Sequence, residues 1–205
     1  MDIVRETATA LKTEAESVNE RRLLLVSGEK NRSYEAARVA IETIGVERPT
    51  VISEAEIDPE QDTVTRTEEL LGTTHGCLIV DCHDSYRPNT IGRATGAVDG
   101  GGLLVFLIPP RDDWLDTPGQ FDRMLAPPPF PARDVGNRFK RRLLRTLSAH
   151  RGIAILDVDA GEQLKNGCTG PVLRRPPGEI APPATHVFPE SVYEACVTVD
   201  QRDAV

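Results

Sequence analysis

The chain has 205 residues, of which 39% are hydrophobic and only 4% aromatic, and its formal net charge is −8. This length holds one sizeable α/β domain with a tail but not two full domains, and aliphatic side chains must build the core. The acidity argues against a surface that binds nucleic acid over its whole extent, because phosphates need a positive face.

In chain order, residues 2–19 carry Ile3, Val4, Ala8, Leu11, Ala15 and Val18 at helical spacing. Arg22 to Ser27 reads as the first strand, stopped by Gly28. Ser33 to Ile44 reads as a helix with Ser33 as its cap and Gly45 just past its end. Thr50 to Ser53 is a short second strand, Glu54 to Asp62 an exposed acidic loop, and Thr65 to Leu71 a short helix that Gly72 stops. The runs Cys77 to Asp81 and Leu103 to Ile108 are continuous apolar stretches, as expected of strands buried on both faces. Between them, Pro88 to Gly96 reads as a helix opened by proline, with Gly100 to Gly102 breaking the chain before the next strand. Residues 109–133 hold seven prolines and no periodicity, which predicts a long surface loop. Asp134 to His150 is a strong helix and Gly152 to Val158 a fifth strand. After Gly161 the chain turns Pro-, Gly- and Arg-rich until about Pro189.

Strands alternating with helices predict a three-layer α/β fold: a mainly parallel, five-stranded, Rossmann-like sheet with helices on both faces. Residues 1–160 would form this domain, and residues 161–205 an extended Pro/Arg-rich arm. No apolar run approaches the roughly 18 residues of a membrane span, and the N-terminus lacks a signal-peptide core. Cys77 and Cys82, five apart on one predicted strand, face opposite sides and share neither a metal nor a disulfide. These features point to a cytoplasmic protein with reduced, buried thiols. Only Lys12, Lys30, Lys140 and Lys165 are lysines. A lysine-poor, acidic surface fits either solubility in high salt or a GC-rich genome.

Several chemistries lack their motifs. No G-x-x-x-x-G-K-[ST] or G-x-S-x-G occurs, and Gly100 to Gly102 precedes a strand instead of opening a helix. His75, His150 and His186 lack the spacing of a metal-ligand set. Asp81, His83 and Asp84 fall at the sheet edge where α/β proteins bind ligands, but without a phosphate loop Asp81 reads as a cap of the next turn. The one basic island is the helix from Asp134 to Arg151, with Arg138, Lys140, Arg141, Arg142 and Arg145. If Val135, Phe139, Leu143 and Leu147 face the sheet, Arg138, Arg142 and Arg145 share an outer face open to RNA phosphates or to an acidic neighbouring domain. Arg174 and Arg175 would extend that surface.

Taken in order, several segments resemble the N-terminal domain of the tRNA(Met) cytidine acetyltransferase family, archaeal branch. They are Arg22-Leu23-Leu24-Leu25-Val26-Ser27-Gly28-Glu29, Leu70-Leu71-Gly72, Ile79-Val80-Asp81, Arg87-Pro88-Asn89 and Gly92-Arg93-Ala94. The series continues with Gly96 to Gly102, Pro109 to Trp114, the Phe139 to Arg145 helix and Asp200-Gln201. The resemblance spans nearly the whole chain and rests on order and spacing. It implies a large parent enzyme in which a helicase-like ATPase module, an acetyl-CoA-binding acetyltransferase domain and an RNA-binding tail follow this domain. That parent would make N4-acetylcytidine in tRNA with acetyl-CoA and ATP.

On this resemblance the chain is a fragment that assists RNA binding or braces the ATPase module, is itself inactive, and binds no metal, ATP or acetyl-CoA alone. Gln201 would be a half-site reading the ATP adenine edge, since its amide both donates and accepts. A free-standing nucleotide- or RNA-binding α/β module is the alternative. A phosphoacceptor receiver lacks its acidic pair, because Ser27-Gly28-Glu29 follows the first strand.

Overall fold

A computed structural model describes residues 1–46, 49–53, 62–63, 70–170, 185 and 187–194. Helix α1 (Asp2–Val18) buries Val4, Ala8, Leu11, Ala15 and Val18 along one stripe, the three- and four-residue spacing of an amphipathic helix. Asn19 ends it in the left-handed conformation (φ 51°), which lets the Glu20 N–H donate to the Ala15 carbonyl at 3.0 Å. Strand β1 (Arg22–Ser27) follows, then α2 (Lys30–Ile44), β2 (Thr50–Ile52), β3 (Asp62–Thr63) and β4 (His75–Asp81). Next come α3 (Pro88–Ala97), β5 (Val98–Ile108), α4 (Arg111–Asp116) and α5 (Gln120–Met124). A 3-10 turn at Ala132–Asp134 leads to α6 (Arg138–Ala149), β6 (Ile153–Asp157) and β7 (Glu162–Lys165).

The strands form one sheet in the order β3-β2-β4-β5-β1-β6-β7, parallel throughout except for the antiparallel β6–β7 pair. Along β5, Leu103, Val105 and Leu107 join the core under α1 and α2. Leu104, Phe106 and Ile108 join the core under α3 to α6. This alternation is why the strand reads as an unbroken apolar run: both faces are covered. Cys77 and Cys82 lie in opposite cores, as their spacing requires. No described helix is long and apolar enough to cross a membrane.

The sheet therefore has seven strands among the described residues where five were expected. The two additions carry little sequence signal. Strand β3 has two residues, and β7 is a polar edge strand whose exposed Glu162, Gln163 and Leu164 look like a loop. The sheet thus continues past residue 160, and one compact unit runs from Met1 to Pro171. Lys165 ties β7 to the end of α6, where its ammonium donates to the carbonyls of Leu147 (2.9 Å) and His150. The second unit, Val172–Val205, contains α7 (Glu190–Glu194).

Other boundaries moved for local reasons. Ser33 does not cap α2; the helix opens at Lys30, and the Ser33 hydroxyl donates to the Gly28 carbonyl at 3.2 Å. Gly100 to Gly102 do not break the chain but lie inside β5, near its start, because the end of α1 lies against them. A Cβ at Gly100 would stand 2.9 Å from the Asn19 carbonyl oxygen, and Gly101 adopts φ +77°. The Gly101 N–H donates to Glu20 at 3.0 Å, and Lys12 donates to the Gly101 carbonyl at 2.8 Å. The proline-rich stretch is ordered by α4 and α5, whose Trp114 and Phe121 pack on the second core. Residues 54–61 of the expected acidic loop, residues 65–69 of the expected short helix, and Arg174, Arg175, His186 and Gln201 lie outside the described residues.

Candidate functional site

The carboxyl ends of β1, β4 and β6 form the edge where open α/β sheets hold ligands. Here the protein's own side chains fill it. Asp81 Oδ2 accepts from the Tyr34 hydroxyl (2.6 Å) and the Ser53 hydroxyl (3.0 Å). Asp81 Oδ1 accepts from the His83 N–H (3.0 Å) and faces His83 Nδ1 at 2.7 Å. His83 Nε2 in turn lies 3.0 Å from the Gly28 carbonyl. Both ring partners are acceptors, so both contacts are hydrogen bonds only when each ring nitrogen carries a proton.

Burial by itself would raise the Asp81 pKa. The hydrogen bonds from His83 and Tyr34 outweigh it and hold the carboxyl below its ordinary range. Beside this network Lys30 pairs with Asp84, and Asp159 Oδ2 accepts the Glu29 N–H at 2.9 Å. The Asp159 carboxylate thus sits at the N-terminus of α2, the position a phosphate takes in nucleotide-binding α/β proteins. A Cβ at Gly28 would come within 2.5 Å of Val158, so this corner is also tightly packed. The edge cross-links β1, β2, β4 and α2.

A carboxyl with a folded-state pKa below its unfolded value of 3.8 contributes stability above that pH and loses it as pH falls through the folded value. Urea unfolding midpoints should therefore fall once the pH drops below about 4. In Asp81→Asn the decline should be shallower; an identical decline would remove Asp81 from the account.

On the far core, α6 presents Lys140, Leu144 and Leu147 to the sheet, at i, i+4 and i+7. The expected stripe of Val135, Phe139, Leu143 and Leu147 is displaced: Val135 precedes the helix, Leu143 is half-buried and Phe139 is 41% exposed. The cause is Lys140, which is 2% exposed and so is withdrawn from any phosphate surface. Its ammonium donates to the carbonyls of Trp114 (3.0 Å) and Thr117 (2.8 Å) and pairs with Asp122 Oδ2 at 3.0 Å. It also lies 5.6 Å from the ring centres of Tyr86 and Trp114. All three N–H groups are committed.

Arg138, Arg142 and Arg145 are exposed on the outer face of α6, a turn apart, and none forms a hydrogen bond or ion pair among the described residues. Arg141, also exposed, approaches Asp116 at 3.6 Å. Beneath them lies an aromatic cluster that periodicity missed. Tyr86 stands edge-on to Trp114 (5.6 Å) and Phe121 (5.5 Å), and Phe139 lies on Tyr86 at 5.6 Å with planes 34° apart. The available signal was a phenylalanine set directly among arginines. An open cleft of about 740 Å³, its mouth included, joins this cluster to the sheet edge and is lined by His83, Asp84, Tyr86, Trp114, Arg123 and Lys140 among others.

The remaining candidates stay apart. His75 bonds Thr50 and Thr73, and His150 bonds the Arg151 carbonyl. Among the described residues no three His, Cys, Asp or Glu side chains gather as a metal-holding group. Burial pushes the Cys77 thiol up to about 12 and the Cys82 thiol well above its ordinary value, which disfavours the reactive thiolate.

Comparison with known proteins adds a family. Residues 1–158 match the model described as tRNA(Met) cytidine acetyltransferase TmcA, N-terminal. The tRNA(Met) cytidine acetyltransferase TmcA of Haloarcula marismortui is 44% identical over 208 residues, covering 100% of this chain and 26% of that protein. The protein of the same name from Haloferax volcanii is 36% identical over 98% of the chain and 28% of its own length. That from Thermococcus kodakarensis is 35% identical over 76% of the chain and 19% of its length.

Proposed function

We infer the role of this chain from its family: it belongs to the N-terminal domains of the tRNA(Met) cytidine acetyltransferases. It spans about a quarter of the length of the first two relatives described above. The parent reading is a cytoplasmic enzyme that forms N4-acetylcytidine in tRNA with acetyl-CoA and ATP. Within it this chain is a non-catalytic accessory domain that grips RNA phosphates through Arg138, Arg142 and Arg145, with Arg141 at the margin. Residues beyond the first unit lead toward the ATPase module, where Gln201 reads the adenine edge.

The observation that carries the RNA role is the unpaired state of the three arginines. The chain has 32 acidic residues against 24 basic ones, so carboxylate partners abound, yet among the described residues this row of guanidiniums has none. Such a row is available to an external polyanion, and guanidinium geometry suits phosphate. The filled sheet edge supports an accessory role, because Tyr34, His83 and Asp159 occupy the places a nucleotide would use.

Replacing all three arginines with alanine should weaken binding to many RNAs alike, since phosphate contacts carry no sequence information. The salt slope should become shallower by roughly 0.7 to 0.9 per lost contact. Stability should change little, because exposed charged side chains contribute about 0–1 kcal/mol each. Fluorescence anisotropy at two salt concentrations measures both quantities. Unchanged affinity and slope in the isolated chain, with lost ATPase coupling in the full-length enzyme, would instead place α6 against another domain.

A further inference from the structure

We propose that Phe139 is a stacking platform for an unpaired RNA base, so that α6 selects single-stranded RNA over duplex. The proposal rests on the reading of α6 as the RNA-facing helix and adds to it the form of RNA that is held.

Three observations converge on this ring. The first is its place among the cations. At 3.6 residues per turn Phe139 lies about 60° around the helix axis from Arg142 and about 100° from Arg138. It therefore flanks the arginine row on the side opposite Arg141, between the guanidiniums and the half-buried Leu143. An aromatic ring beside a line of cations is the arrangement that single strands use: phosphates follow the positive groove while bases stack on rings.

The second is rigidity. One side of Phe139 is backed by Tyr86 at 5.6 Å, and Tyr86 is wedged edge-on between Trp114 and Phe121. The buried Lys140 ammonium fixes the same two inner rings, Tyr86 and Trp114, from 5.6 Å each. Phe106 closes the far end against Trp114 at 6.5 Å. The chain's single Trp and three of its five Phe gather here, in a protein that is otherwise aromatic-poor. A ring held in this way loses little conformational freedom when a base lands on it.

The third is exposure. Phe139 is 41% accessible although a well-packed core lies directly beneath it, while Lys140, one residue on, is 2% accessible. The helix is thus rotated so that a lysine is buried and a phenylalanine is offered outward, the reverse of what burial alone favours. One exposed apolar side chain is ordinary; a braced aromatic ring next to three unpaired guanidiniums has a chemical counterpart in a strand of phosphates and flat bases. A-form duplex keeps its bases stacked on one another, so a duplex could reach the arginines but not place a base on Phe139.

The test compares a short uridine oligomer with a short blunt RNA duplex, by anisotropy, on the 205-residue chain. Phe139→Ala should lower affinity for the oligomer by about 5- to 100-fold, leave duplex binding unchanged, and leave the salt slope of both unchanged. Phe139→Leu keeps an apolar cover over Tyr86, so it guards against a folding defect, and should show the same selective loss. Phe139→Trp should restore oligomer binding. Equal losses on both RNAs, or no loss on the oligomer, would overturn the proposal. If the triple arginine variant weakens both RNAs while Phe139→Ala weakens neither, only the stacking role falls. If the triple variant changes neither, the RNA reading of α6 falls with it, and the braced ring belongs to a protein contact.

Discussion

Lys140→Ala should destabilise the domain by about 3–5 kcal/mol, the usual loss when one partner of a buried ion pair is removed. The variant leaves Asp122, 3% exposed, without its cation and orphans the Trp114 and Thr117 carbonyls. Asp122 would keep only the Gly119 N–H at 2.7 Å. Because these bonds join α4 and α5 to α6, the proline-rich segment should loosen before the sheet does. Urea unfolding followed by Trp114 fluorescence measures the effect; a loss under about 1 kcal/mol would mean that the pair is dispensable. The double variant Lys140→Met with Asp122→Leu should recover the part of the loss that comes from the uncompensated carboxylate, while the Trp114 and Thr117 carbonyls stay unpaired.

A comparable loss, again about 3–5 kcal/mol, is expected for Glu14→Ala. Glu14, buried on α1, receives Arg22 through Nε (2.9 Å) and Nη2 (2.8 Å). It also receives the Thr169 N–H (2.8 Å) and hydroxyl (2.7 Å). Burial would raise its pKa, yet these donors hold it below the ordinary 4.5, so this contribution also fades as the medium becomes strongly acidic. The alanine variant should leave the Arg22 guanidinium short of a carboxylate and release the segment around Thr169 from α1. Limited proteolysis should then cut between residues 166 and 170 well below the global unfolding transition. Full protection together with unchanged stability would refute the assignment.

How far the sequence revealed this fold varies with the element. Strands β1, β4 and β5 were legible because burial on both faces leaves an apolar run with nothing to interrupt it. Asp81 was legible as a strand-ending acid, but its partners Tyr34 and Ser53 lie 47 and 28 residues away, and no local pattern predicts that meeting. Gly100 to Gly102 misled because glycine breaks most elements, whereas here its missing Cβ admits the end of α1. The face of α6 was misassigned because a lysine counts as solvent-facing in any periodicity argument. Only the carbonyls and carboxylate of the preceding segment show why this one is buried. The arginine row was legible from spacing alone; Phe139 was visible as a residue but was assigned to the wrong side.

The fate of the lysines carries a last consequence. Lys12 is spent on Gly101, Lys30 on Asp84, Lys140 on Asp122 and two carbonyls, and Lys165 on the end of α6. Burial lowers the pKa of Lys165, and its ammonium is clasped by two carbonyl oxygens. Acylation needs a free, deprotonated amine that can approach the acyl carbon, whereas a guanidinium keeps its proton and is inert to thioesters. Each of the four lysine ammoniums must leave an internal bond before it can offer a nucleophile to an activated acyl group. Acylation of these four side chains should therefore be slower than that of unbonded lysines.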